Sequence, residues 1–223
     1  MKLVWSPEDA LKAYIDTVKS CEKLKETGVA ELLSAMAAGW NTKFIVESWS
    51  YGGAIAASVG LAVAARNTGA RHVCIVPDER SRLQYTKALA EAGVSAPAEV
   101  VAGEAEAAVA RLSGLDFLVV DCRRREFARV LRVAKVSPRG AVLACKNAWH
   151  RNSCGGFRWS VVLQRGVRVV RSVFLPVGKG LDIAYIGSGS RTLPPPPTSS
   201  KAPSRWIKHI DQQSGEEHLF RES

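Results

Sequence analysis

An acid, a polar turn and two glycines occur in succession at residues 47–53, which read Glu-Ser-Trp-Ser-Tyr-Gly-Gly. The apolar residues 44–46 before them predict a short buried strand, and the small residues 54–66 after them predict a helix. A strand, a glycine turn and a helix in this order present backbone N–H groups at the helix N-terminus, where a nucleotide-like ligand can bind. An ordinary strand-to-helix turn needs glycine as well, because glycine adopts a positive φ without strain. Both interpretations stay open at this point.

Further side chains of chemical interest lie after the later apolar runs of the chain. Asp78 closely follows the second run, Asp121 ends the fourth and Lys146 follows the fifth. Asp78 is also placed to cap the helix after it. His150 lies in a polar, glycine-rich segment, where a histidine can act as a base. No spacing matches a Ser/His/Asp or Cys/His triad, or a phosphate loop.

The elements that position these residues alternate regularly between residues 43 and 146. Five apolar runs predict strands with helices between them, at 44–46, 72–76, 99–101, 116–120 and 141–145. Continuous apolar strands alternating with amphipathic helices are typical of a parallel sheet that is covered on both faces. Two later runs, joined by a short connection with two glycines, predict a hairpin. The predicted fold class is α/β, with about seven strands, mostly parallel, a C-terminal antiparallel hairpin, and helices on both faces.

Two helices are predicted before the first strand, within residues 1–40. A serine cap, a proline and two acids at residues 6–9 start the first of them. Leu11, Ile15 and Val18, with Cys21 as an open further member, form a narrow apolar stripe along it, which is typical of an amphipathic helix.

The chain is predicted to divide into an α/β domain, residues 1–190, and a tail, residues 191–223. Within the domain, residues 43–146 form the strand–helix units, 147–165 a loop or lid, and 166–190 the terminal hairpin. Four consecutive prolines near the start of the tail form an extended linker. A flexible appendage is the first interpretation of the residues after this linker; docking as a short helix and recognition of a protein partner stay open.

Composition limits the classes of protein to which the chain can belong. Its 223 residues, 47% of them hydrophobic, suffice for one substantial core. Its five cysteines show no CxxC spacing, which favours a reduced, intracellular chain without a zinc site. The sequence has no signal-peptide core and no apolar run of membrane-spanning length. We therefore expect a soluble protein of the cytoplasm with no membrane partner, and the nucleus stays open as a further location.

The net charge of +10 favours anionic partners, but it does not choose among metabolites, nucleic acids and acidic proteins. Arginines concentrate locally at positions 123, 124, 125, 129 and 132. Arg125, Arg129 and Arg132 would share one face of a helix, since helical neighbours lie three or four residues apart. A solvated helix face is the leading interpretation and a nucleic-acid groove the minor one.

Five strand–helix units, a glycine turn after the first strand, an acid at the end of the fourth and a terminal hairpin resemble a class I S-adenosylmethionine-dependent methyltransferase. Residues 178–187 resemble the terminal strand of the catechol and caffeoyl-CoA O-methyltransferases. More closely, the segments 30–40, 76–81 and 214–218 resemble a plant family of unknown function. The resemblance implies a Rossmann-like class I methyltransferase sheet.

The same resemblance implies a set of cofactor-binding positions. They are Glu47, Trp49, Tyr51, Gly53, Asp78, Gly103, Glu104 and Asp121. Trp49 stands where the family pattern has its first glycine, so its indole ring either reshapes or fills the pocket for the methionine part of the cofactor. At the position where the family has the acid that binds the ribose, this sequence has Pro77, and Asp78 comes one residue later.

This sequence departs most sharply from the pattern of the catechol enzymes at their metal site. Asp121 and Asn147 are in register with two of its ligands, but the middle ligand is Lys146. Because an ammonium group repels a hard cation, no metal is expected, and a Lys146–Asp121 ion pair is predicted in its place. The candidate catalytic residues are Lys146, Asp121 and His150, with Lys146 alternatively a clamp for an acidic substrate.

Three functions are consistent with these patterns. The leading one is a metal-independent, methyltransferase-like protein that binds S-adenosylmethionine, or a related nucleoside, and methylates a small molecule if active. The second is a catalytically inactive interaction or regulatory module on the same fold. RNA binding or modification is the weakest, because the sequence has no aromatic stacking motif for it.

Overall fold

The computed structural model describes residues 4–24, 28–94, 98–150, 157–164 and 166–188, together with the backbone of residues 206–210 and 217–221. Its helices are α1 (Pro7–Ser20), α2 (Val29–Gly39), α3 (Ala56–Thr68), α4 (Glu79–Glu91), α5 (Ala105–Ala110), α6 (Phe127–Val133) and α7 (Trp159–Val162). Its strands are β1 (Phe44–Ser48), β2 (Arg71–Val76), β3 (Glu99–Ala102), β4 (Ser113–Leu115), β5 (Phe117–Asp121), β6 (Lys135–Val136), β7 (Ala141–Lys146), β8 (Val169–Leu175), β9 (Leu181–Ile186), β10 (Trp206–Ile210) and β11 (Glu217–Arg221).

Seven of these strands form one sheet in the order β3-β2-β1-β5-β7-β9-β8. The first five pair in parallel, and β9 pairs antiparallel with both β7 and β8. The predicted fold class is confirmed: the sheet is mostly parallel and ends in an antiparallel hairpin. The chain reverses direction across the sheet between β1 and β5, and in open α/β sheets ligands bind at such a switch point.

Alternate residues of each central strand enter opposite layers of the core. Val46, Leu118 and Leu143 belong to the cluster that includes residues of α6 and α7. Ile45, Phe117 and residues of α2 and α3 form the opposite cluster. Burial on both faces explains why these strands are continuously apolar in the sequence.

The apolar stripe of α1 faces outward, which the sequence did not suggest. Leu11, Ile15 and Val18 are exposed, whereas Cys21, directly after the helix, is buried, as are Ala10, Ala13 and Thr17. Small residues also form the contact between α2 and α3, where a Cβ on Gly60 of α3 would lie 2.5 Å from the carbonyl oxygen of Ala30 in α2. Helices α1, α2 and α3 therefore approach one another closely through their small faces, and this layout leaves the larger apolar residues of α1 outside.

Two short features were not predicted. Strands β4 and β6 pair in parallel beside the main sheet. In the tail, β10 pairs antiparallel with β11, so these residues form strands and not the short helix considered as an alternative. Contacts group Met1–Ser190 and Arg191–Ser223 into two separate units. Among the residues described, no helix has the length and apolarity needed to cross a bilayer.

Candidate functional site

Two cavities lie at the carboxyl ends of the parallel strands. The first, here the switch-point cavity, has a volume of about 340 Å³ and includes residues that follow β1, β2, β3 and β5. The second, here the Lys146 cavity, has a volume of about 370 Å³ and includes the start of α3 and the end of β7. The β1–α3 turn contributes to both, with Trp49 in the first and Ala54 in the second. Arg124 lines the switch-point cavity, and Arg123 lines the Lys146 cavity.

The switch-point cavity combines apolar surface with arginines that are already paired. Its walls include Trp49, Pro77, Gly103, Glu104 and Phe127. Gly103 has a φ of 147°, and a Cβ placed on it would meet no atom within 4 Å. The cavity is therefore open above this glycine. At its rim Arg124 Nε donates to Glu126 at 2.8 Å, and Arg129 lies 3.4 Å from Glu106.

Glu47, a predicted cofactor-binding residue, is fully buried in a hydrogen-bond network beneath the turn. Its carboxylate accepts hydrogen bonds from Ser58 Oγ at 2.8 Å and Tyr85 OH at 2.7 Å, and His72 Nε2 lies 3.1 Å away. Burial by itself raises the pKa of Glu47, but the hydrogen bonds from His72 and Tyr85 and the charge of Lys146 lower it on balance. Glu47 therefore joins β1 to α3, α4 and β2, and it lines neither cavity.

Trp49 closes the β1–α3 turn on itself. Its indole N–H donates to the carbonyl oxygen of Ala54 at 3.2 Å, and its ring packs edge-on against Tyr85 with the centroids 5.4 Å apart. Gly53 is required beneath it, since a Cβ there would lie 2.8 Å from the Ser50 carbonyl oxygen and 3.0 Å from the indole nitrogen. Trp49 is buried and borders only the switch-point cavity, so its ring does not occupy the Lys146 cavity.

The remaining residues of the turn are fastened to α4. The Gly52 N–H donates to Gln84 Oε1 at 2.9 Å. The exposed Tyr51 ring lies 4.0 Å from the guanidinium carbon of Arg80, a cation–π contact. Tyr51 and Gly53 line neither cavity. They therefore shape the turn, and the structure does not bring them to a cavity surface.

Asp78 caps α4. Its carboxylate accepts a hydrogen bond from the Ser81 N–H at 2.7 Å, and this bond is the main cause of its lowered pKa. Pro77, not Asp78, borders the switch-point cavity. The capping role predicted from the sequence is confirmed, and the ribose-binding role stays a prediction.

Asp121 pairs with Arg123, so the predicted Lys146–Asp121 ion pair is wrong. The Arg123 guanidinium donates to both carboxylate oxygens, with the shortest distance 2.7 Å, to Oδ2, and Asn147 Nδ2 donates to Oδ1 at 2.9 Å. Burial alone raises the pKa of Asp121, but Arg123 and Lys146 together lower it. Arg123 prevails because it lies only two residues away and presents a planar fork that matches a carboxylate.

The sequence matches, over residues 1–222, the family described as "Protein of unknown function (DUF1442)". The chain belongs to this family. No protein of the curated set matches it.

Solved methyltransferases share the fold of this DUF1442 chain. A methyltransferase from Geobacter sulfurreducens superposes with a TM-score of 0.56 at 22% identity, over 80% of this chain and 89% of its own. The methyltransferase PaMTH1 from Podospora anserina, bound to SAH, has a TM-score of 0.57 at 15% identity, covering 82% and 90%. The O-methyltransferase TomG from Streptomyces achromogenes, in complex with SAM, has a TM-score of 0.50 at 18% identity, covering 82% and 97%. The similarity extends over most of each chain, and at these identities it establishes the fold.

The residues of the DUF1442 chain do not suit the divalent cation of the catechol enzymes. Asp121 already accepts hydrogen bonds at both of its oxygens, and its neighbour on β7 is the ammonium side chain of Lys146. Hard cations need free carboxylate and carbonyl oxygens. No part of the function is therefore assigned to a metal at this position.

His150 lies apart from both cavities. It follows Asn147 in a short helical turn and is exposed. The predicted loop or lid, residues 147–165, includes residues 151–156 and 165, which lie outside the described part of the chain; α7 lies within its described part. The structure thus brings Trp49, Gly103, Glu104 and Lys146 to the cavities, and does not bring His150 there.

Several lining residues were not identified from the sequence as members of the site, among them three that carry charge or a large apolar ring. Arg123 and Phe127 follow β5, and Lys179 lies in the β8–β9 connection. The connection reaches the site because the Trp149 N–H donates to the Lys179 carbonyl oxygen at 3.2 Å. Arg123 could have been found from its position two residues after the strand-ending acid. Lys179 carried no such signal, since only tertiary structure places the hairpin beside β7.

Proposed function

We propose that this DUF1442 protein binds S-adenosylmethionine and methylates a small molecule without a metal. The observation that carries the proposal is the switch-point cavity, which lies where the strand order reverses and where the carboxyl ends of β1, β2, β3 and β5 meet. The SAM-bound and SAH-bound methyltransferases with this fold support the same ligand class.

The chemistry of the cavity suits a nucleoside. Phe127 and Pro77 offer apolar surface, and the open space at Gly103 lets a flat ring approach the backbone. Glu104 supplies an exposed carboxylate beside this glycine, which can accept hydrogen bonds from hydroxyl or amino groups. These residues would hold the nucleoside part of the cofactor, and the Lys146 cavity on the other side of the β1–α3 turn would hold the acceptor.

The bound cofactor would supply an electrophilic methyl group to a lone pair of the acceptor; the electron pair of the C–S bond would stay on sulfur and the acceptor proton would pass to water. The protein contributes alignment, because the turn between the two cavities is held rigidly by Trp49 and by the Glu47 network beneath it. Holding two reactants in line accelerates such a reaction without an acid or a base.

Isothermal titration with S-adenosylhomocysteine tests the proposal. We expect saturable binding that weakens roughly threefold to tenfold in Glu104→Ala, since the lost hydrogen bond is to an exposed carboxylate that solvent screens. Glu91→Ala is the matched control, because Glu91 is an exposed acid of α4 that lines neither cavity. Absence of binding to the folded protein at millimolar ligand would overturn the proposal.

One observation favours the second candidate, a catalytically inactive module. Trp49 is buried at the position where the methyltransferase pattern has glycine, and its indole N–H bonds across the turn to the Ala54 carbonyl oxygen. A folded protein that binds no S-adenosylhomocysteine would support this candidate.

The arginine concentration gives little support to RNA binding. Arg123, Arg124 and Arg129 pair with Asp121, Glu126 and Glu106. Arg125 precedes α6, so the helix face predicted to carry three arginines does not form as expected. Paired arginines are less available to phosphates, and the steep salt dependence of phosphate binding is not expected.

A further inference from the structure

Lys146 is a buried cation at the surface of a cavity. Only 8% of the residue is exposed, and it lines the Lys146 cavity at the end of β7. Within the described part of the chain, its ammonium group has no hydrogen bond and no ion pair. The Lys146 nitrogen is not among the fully buried side-chain atoms that lack a partner, so it retains some contact with solvent.

The two carboxylates that feel the charge of Lys146 are committed elsewhere. Asp121 is held by Arg123 and Asn147, and Glu47 by Ser58, Tyr85 and His72. Lys146 still lowers the pKa of both acids, so its charge acts there without direct contact. No carboxylate lines the cavity among the residues described. Because a buried charge is costly unless it is paired, an anionic ligand would complete this site.

The first turn of α3 supplies a second group that favours an anion. Ala56 and Ala57 line the same cavity, and the N-cap residue Ile55 makes no capping hydrogen bond with its side chain. The N–H groups at the start of a 13-residue helix are therefore left for a ligand, and the helix dipole favours negative charge there. Lys179 adds an exposed ammonium at the rim.

We propose that the acceptor substrate is a small carboxylic acid whose carboxylate binds in the Lys146 cavity, between the Lys146 ammonium and the first turn of α3. That this ligand is the methyl acceptor rests on the proposed function. The anion site itself does not need a cofactor. A volume of about 370 Å³ accommodates a ring with one carboxylate. The carboxylate is a handle for binding, and the methyl group would go to another part of the molecule.

Benzoate and benzamide are the probes, because they share shape and differ in charge. Titrations followed by ¹H–¹⁵N NMR should show benzoate binding at least roughly tenfold more tightly than benzamide, as expected for a hydrogen bond to a charged group. The shifted amide signals should include Ala56, Ala57 and Asn147. Equal binding of the two probes, or shifts confined to other parts of the protein, would overturn the proposal.

Lys146→Met removes the charge while keeping most of the length of the side chain. We expect it to lose the preference for benzoate, whereas Lys146→Arg retains most of it. Lys87→Met is the matched control, since Lys87 is 77% exposed on α4 and lines neither cavity. Retention of the full preference in Lys146→Met would contradict the assignment. If that variant does not fold, the wild-type amide shifts decide the question alone.

Titration of benzoate into protein saturated with S-adenosylhomocysteine separates the two proposals. Benzoate binding that persists in the saturated protein supports an acceptor site. Competition between the two ligands would overturn it, because the anion in this cavity would then be the carboxylate of the cofactor. Binding of S-adenosylhomocysteine without binding of benzoate would remove this inference and leave the proposed function standing. The reverse result would remove the proposed function and leave an anion site.

Discussion

The two cavities at the carboxyl edge of the sheet differ in how their charges are balanced. Around the switch-point cavity each arginine has an acid partner, Arg124 with Glu126 and Arg129 with Glu106. In the Lys146 cavity the buried lysine has no such partner in the described residues. Among the described residues, a site whose arginines are paired and whose free charged group is the Glu104 carboxylate suits a flat ligand with hydroxyl or amino donors, and a site with an unpaired buried lysine suits an anion. Local charge pairing therefore says more about ligand class than the net charge of +10 does.

The largest effect is expected from breaking the network beneath both cavities. Glu47→Gln replaces a buried carboxylate that serves Ser58, Tyr85 and His72. We expect the free energy of unfolding to fall by about 3 kcal/mol, since hydrogen bonds to a charged, buried group are lost together. Urea unfolding measures it, with Glu91→Gln as an exposed control expected within about 0.5 kcal/mol of wild type. A loss below about 1 kcal/mol would show that the network is not a shared foundation.

The same network predicts a pH dependence. The pKa of Glu47 is lowered in the folded protein, so its contribution to stability is present above its ordinary value of 4.5 and is lost as the pH falls through the folded value. The stability of wild type should therefore decrease more steeply than that of Glu47→Gln below pH 4.5. Urea unfolding at several acidic pH values compares the two slopes. Parallel slopes would contradict the lowered pKa.

Asp121→Asn alters the charge balance of the Lys146 cavity directly. It removes a negative charge beside this cavity and weakens the hold on Arg123. We expect benzoate to bind roughly threefold to tenfold more tightly, since competition for the positive groups is reduced. The NMR titration measures the change, and affinity for benzamide serves as the internal control because it should stay constant. Weaker benzoate binding would mean that Asp121 positions the site and does not oppose the anion.

The smallest effect is expected at the turn between the cavities. Trp49→Phe keeps an aromatic ring against Tyr85 but removes the indole donor to the Ala54 carbonyl oxygen. The expected loss of stability is about 1 kcal/mol. Trp149→Phe, at a residue that is 54% exposed, should leave stability nearly unchanged. Equal effects of the two substitutions would show that the indole bond does not hold the turn.

Much of the fold could be predicted from local pattern. The central strands are buried on both faces, so their runs are continuous and their order along the chain is plain. The apolar stripe of α1 was expected to face the core and is instead mostly exposed. Amphipathic periodicity identifies an apolar face, but it does not identify what that face packs against. The small faces of α1, α2 and α3 pack together, and the larger side chains are left exposed.

The sequence by itself determined the strand–helix alternation, the glycine turn, the terminal hairpin and the cap at Asp78, because these depend on periodicity and on neighbouring residues. Tertiary structure alone decided which acidic side chain pairs with which basic side chain. Asp121 pairs with Arg123 and not with Lys146, and Glu47 is committed to side chains 11, 25 and 38 residues away. Hydrogen bonds between distant segments depend on the sheet order and on the fit of side chains in the core. For that reason only the folded chain reveals that, among the described residues, Lys146 stands unpaired in a cavity.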